Sequence, residues 1–184
     1  MKKSYLFVFA GLVAVAIGCA GPRYAMAPDQ GGNTVAYTQQ ETGRKVVVEI
    51  DPAFSLEGET YRNREGIRIG GYVFSGKAGK IFVTRLLVSE FEKVTDLDVP
   101  EIEGPYREFP PGTFYNEIYC DLTRARAVAM GDEIVVAAFK KSLLDQGITC
   151  EAIDSLNALS ARYPQLIEAF DAAGDRSFQM RVQP

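Results

Sequence analysis

Thr113–Gly147, TFYNEIYCDLTRARAVAMGDEIVVAAFKKSLLDQG, is the stretch on which the fold turns. Phe114, Ile118, Leu122, Ala125 and Ala129 recur at three- and four-residue spacing, which predicts a helix with Thr113 as its cap. Gly131 then closes that helix and Asp132 caps a second, in which Ile134, Val135, Ala138, Leu143 and Leu144 supply an apolar face up to Gly147. Beyond it a third helical segment is expected over Glu151 to Arg162. After Pro164 a fourth runs to about Ala172, and Arg176 to Val182 reads as a last strand.

Upstream of this stretch the pattern changes to that of strands. Val35 and Tyr37, the turn Glu41-Thr42-Gly43, and Lys45 to Ile50 predict one hairpin. Ile67 to Phe74 and Lys80 to Val88, joined by Ser75 to Gly79, predict another. The segment between them, Asp51 to Glu65, is polar and broken and reads as a surface loop. Lys93 to Gly112 carries four of the nine prolines and reads as an extended connector. Strands first and helices second predict an α+β domain. A small antiparallel sheet of N-terminal hairpins would pack against a C-terminal group of three to four helices.

The amino terminus sets the address. Lys2-Lys3 precedes an uncharged run from Tyr5 to Ile17, too short to span a bilayer as a helix but of signal-peptide length. Ala16-Ile17-Gly18-Cys19 resembles the lipobox of bacterial lipoproteins, with Ala16 where Leu is usual. The resemblance implies that residues 1–18 are a signal peptide and that Cys19 becomes the lipidated first residue, carrying diacylglyceryl and a further acyl chain such as palmitate. Stable anchoring takes two or more such chains. Ala20 after that Cys implies, by the same resemblance, an outer-membrane location facing the periplasm. A cut after Ala27 fits less well, because Pro28 follows it and the apolar run ends far upstream. Residues 19–33 then read as the lipidated Cys and a Gly/Pro-rich tether, and 34–184 as one domain in the cell envelope.

Cleavage before Cys19 leaves 166 residues with 18 basic and 24 acidic side chains, a balance that steers the domain away from nucleic acid. The chain has no His, which excludes Ser-His-Asp and Cys-His nucleophile activation and His-ligated zinc. Gly71 to Ala78, GYVFSGKA, approaches the P-loop pattern but lacks its final hydroxyl and sits between strands, so no nucleotide partner is expected. Nor is a cofactor.

With Cys19 lipidated, Cys120 and Cys150 remain, an even number in an oxidising compartment, and a disulfide is the default. In one unbroken helix from 114 to 146 the two would stand about 45 Å apart. The bridge therefore requires the chain to reverse at Gly131, which brings residue 142 level with residue 120. Their separation in sequence fits a structural staple better than a redox-active pair.

Two clusters are candidate sites. Tyr106, Phe109, Phe114, Tyr115 and Tyr119 surround Pro110-Pro111-Gly112 and form a candidate recognition surface. Asp96, Asp98, Glu101 and Glu103 crowd a Pro-containing loop and are weak candidates for a hard cation, or for the carboxylates of a hydrolase. The leading expectation is a non-enzymatic binding or scaffold module for another envelope component. A membrane-tethered hydrolase and capture of a small apolar ligand between sheet and helices are the alternatives.

Overall fold

The computed structural model describes residues 26–28, 31–39, 41–95, 97–151 and 153–184. In chain order the elements are β1 Met26–Pro28, β2 Thr34–Thr38, β3 Lys45–Ile50, β4 Ser55–Arg64, β5 Ile67–Gly76, β6 Gly79–Leu87 and α1 Val88–Thr95. They continue with β7 Arg107–Asn116, β8 Asp121–Met130, β9 Glu133–Ser142, a 3-10 turn Leu144–Gln146, α2 Leu156–Arg162, α3 Pro164–Ser177 and β10 Phe178–Gln183. All pairing is antiparallel. One sheet runs β1-β2-β3-β10 and the other β4-β5-β6-β9-β8-β7.

The α+β expectation is overturned. The decisive stretch makes three strands, β7, β8 and β9, instead of two helices, and the molecule is mostly β with two sheets. The physical reason lies in β8 and β9. In β8, Leu122, Val128 and Met130 alternate with Ala127 and Ala129, and the alanines pack on a different set of partners. Their period is two, but alanines at 125 and 129 also satisfy a helical spacing. β9 is buried on both faces from Glu133 to Val135 and from Ala137 to Phe139, so its apolar run is continuous and carries no period. Gly131 does reverse the chain, at φ +58°, between strands rather than helices. The segment 51–65 is also corrected: Ser55–Arg64 is an edge strand paired to β5, interrupted by a bulge between Leu56 and Gly58.

The six-stranded sheet has two unlike faces. One carries Phe74, Ile81, Val83, Leu122, Val128, Val135, Ala137 and Phe139, and packs against Val35, Tyr37, Val46 and Val48 of the smaller sheet and Leu159 and Phe170 of the helices. Phe139 stands at the centre, edge-on to Phe54 and stacked on Phe170. Each large side chain buried there contributes about 1.5–3 kcal/mol. Arg124 fastens α3 to this face: its guanidinium donates to both carboxylate oxygens of Asp175, at 2.7 and 2.9 Å, and to Thr113 Oγ1 at 2.9 Å. The other face carries a second, smaller cluster near the Gly131 turn, where Phe91 and Val94 of α1 and Val99 and Ile102 of the connector lie over Leu86, Ala127, Ala129 and Ile134.

β7 is the outer strand on its side, and Pro110-Pro111 falls in a bulge between Phe109 and Gly112, where neither residue has an N–H to place in a ladder. Of the segment 19–33 read as a tether, residues 26–28 pair with β2 as part of the domain. Cys19 and the signal segment 1–18 lie outside the described residues, as does Asp96. Among the described residues no helix is long and apolar enough to cross a membrane.

Candidate functional site

The register of the strands defines two ends. At the first, Met26 stands opposite Tyr37, the Tyr37 hydroxyl donates to the carboxylate of Glu133, and Leu87 stands opposite Glu133 beside the Gly131 turn. At the second, Asp121 stands opposite Ser142, and the backbone N–H of Leu143 donates to the Cys120 carbonyl at 2.9 Å. The ten residues of β8 separate the ends by about 30 Å at the usual strand rise.

The Gly131 end is closed by polar groups. Glu133 is buried and accepts from both Tyr37 and the Arg85 guanidinium, so one carboxylate joins the smaller sheet to two strands of the larger. Burial pushes its pKa up to about 7, and the adjacent guanidinium works in the opposite direction. Gln39 is also buried, its amide nitrogen close against Gly131. Nearby, α1 and the connector frame an open cleft of about 510 Å³ lined by Leu87, Val88, Val99, Ile102, Glu92 and Asp132, among others.

The Cys120 end is built the other way. Asn116 to Asp121 form a tight turn in which the Asn116 side chain accepts from Tyr119 N–H at 3.2 Å and Cys120 takes φ +49°. A disulfide joins Cys120 to Cys150, with Cα atoms 5.7 Å apart, and so binds the segment after the 3-10 turn to the hairpin tip. Closing a loop of 30 residues in this way is worth about 3–4 kcal/mol. The rigid tip nevertheless leaves its large apolar side chains bare. Ile118 is 86% exposed, Tyr119 65%, Leu144 59% and Phe114 47%.

The aromatic group read from the sequence is thereby divided. Phe114 and Tyr119 belong to this tip, and Tyr106 is exposed at the opposite end, before β7. Phe109 packs under the connector, and Tyr115 points to the opposite face from Phe114, half-buried, donating its hydroxyl to the Ile153 carbonyl at 3.1 Å. Burial raises the Tyr115 pKa, as do the carboxylates of Glu117 and Asp154. A β-strand separates neighbouring aromatics between its faces, where a helix would have grouped those at three- and four-residue spacing. Ile118 and Leu144, which complete the patch, stand in the sequence as helix-core residues. The carboxylates of Asp98, Glu101 and Glu103 are exposed on the connector, and among the described residues no group of three or more His, Cys, Asp or Glu is arranged to hold a metal ion.

The fold and this tip define a two-sheet antiparallel β-domain with a disulfide-stapled apolar end. No family model, curated protein or solved structure matches the chain.

Proposed function

We propose that the chain is a membrane-anchored envelope lipoprotein whose domain is a non-enzymatic binding module for another envelope component. The supporting observation is the tip itself: Ile118 and Tyr119 left in water on a turn tied down by a covalent bond, with Phe114 at the end of β7 and Leu144 in the 3-10 turn exposed as well. Exposed apolar groups on a preordered frame recognise a partner without the cost of ordering a loop. The placement of β1 agrees with this role. Six residues separate Cys19 from Met26, a span of at most about 25 Å, and the chain joins the fold at the Gly131 end. A lipid on Cys19 therefore holds that end toward the membrane and turns the tip away from it.

A photo-crosslinking residue introduced at Ile118 of the full chain, in cells, tests the reading. A discrete adduct is expected from this position and not from Glu168 on the outer side of α3. Cys19→Ala is expected to move the chain out of the membrane fraction and to abolish the adduct. Equal, diffuse labelling from both positions would overturn the binding-module reading, and retention of Cys19→Ala in the membrane would overturn the lipid anchor. The cleft under α1 favours one second reading, capture of a small apolar molecule there, which predicts that a lipid copurifies and is lost on Ile102→Glu.

A further inference from the structure

The exposed apolar tip has an acidic surround. Glu117 precedes Ile118, Asp145 follows Leu144, and Glu151 and Asp154 follow the bridged Cys150; all four are exposed. The cations at this end are fewer. Lys140 is held on Asp121 at 3.0 Å and Lys80 on Glu57 at 3.2 Å, Lys141 is half-buried, and Lys77 is exposed on the β5–β6 turn, on the far side of β9 from the tip. Apolar anchors inside a carboxylate rim are the complement of an apolar recess with a basic rim. We infer that the tip docks on a protein surface of that kind, with Ile118, Tyr119 and Leu144 filling the recess and Glu117 and Asp145 meeting Lys or Arg around it.

An anionic lipid surface is the competing occupant, and two features oppose it. The rim carboxylates repel lipid phosphates, and the tip lies about 30 Å from the end at which the chain joins the fold. Tyr and Ile at a water-exposed turn would otherwise suit an interface of either kind. Here charge decides between them.

The inference rests on the binding-module reading and is tested so that the two fail separately. A photo-crosslinker at Leu144 of the full chain is combined with Ile118→Ser/Tyr119→Ser or with Glu117→Lys/Asp145→Lys, and the crosslinked peptide is sequenced. Removing two anchors is expected to cut adduct yield by about tenfold or more. Reversing the rim charge is expected to cut it by about tenfold, and the captured peptide should carry net positive charge beside apolar residues. Melting curves of both variants should match the parent, because these side chains are solvent-exposed.

Loss on anchor removal without loss on charge reversal would overturn the basic-rim partner and leave the binding module standing. An adduct of lipid mass, or tip-dependent flotation of the Cys19→Ala chain with phosphatidylglycerol vesicles, would overturn a protein occupant. Absence of any adduct from Leu144 would overturn the binding module and this inference together.

Discussion

The two ends of the domain solve opposite problems with opposite chemistry. At the Gly131 end, Tyr37, Gln39 and Glu133 are polar and buried, and Leu86, Ala129 and Ile134 are covered by α1 and the connector, while Leu87, Leu97 and Tyr106 stay partly exposed. At the Cys120 end, Ile118, Tyr119 and Leu144 are apolar and bare, and rigidity comes from a disulfide. A buried ionic group fixes how two sheets sit on each other, because its partners must be in place for it to be tolerated. A covalent staple makes no such demand on the surface around it. The staple therefore belongs where the surface has to stay open.

Breaking the staple gives the largest expected effect. Cys120→Ser/Cys150→Ser is expected to lower stability by about 3–4 kcal/mol in denaturant titration, with the melting transition still cooperative. A loss below about 1 kcal/mol would mean that Leu143 and the 3-10 turn hold the tip unaided, and the contrast between the ends would narrow. Next comes the polar latch. Tyr37→Phe removes one donor from a buried carboxylate and is expected to cost about 1–3 kcal/mol. An unchanged midpoint would show that Arg85 alone satisfies Glu133.

The third test is a pH dependence. Because the folded-state pKa of Glu133 is raised to about 7, the folded chain holds a proton that the unfolded chain has released. The stabilising contribution is fully present below the unfolded carboxylate pKa of about 4.3 and is lost as pH rises through about 7. Melting temperatures of the parent relative to Glu133→Gln are therefore expected to fall between those pH values. A constant difference across the window would show that the Arg85 guanidinium keeps the carboxylate charged throughout.

The sequence was most legible where side chains alternate between a buried and a solvated face. β2 and β3, and β5 and β6, lie where the alternation and the Gly-containing turns put them. It was least legible in β8 and β9, for a reason that lies in the fold. A central strand covered on both faces loses its alternation, and a face lined by Ala127 and Ala129 to admit α1 offers a spacing shared by strand and helix. β4 was hidden differently, since an edge strand with most of its residues in solvent needs no apolar pattern. The relation between positions 120 and 142 survives the misreading because it depends only on where the chain reverses. The tip patch was partly visible in Phe114 and Tyr119. Ile118 and Leu144 were not, since an isolated aliphatic residue announces burial until a turn exposes it.

One feature of β7 governs how readily such molecules could extend one another's sheets. An outer strand with free amides invites a neighbouring chain to extend the sheet, and a surface that already shows bare apolar groups a few residues away would turn that invitation into polymer. Pro110-Pro111 withholds two successive amides and bends the strand at the bulge. Exposed apolar side chains are thus displayed next to a backbone that refuses to be copied.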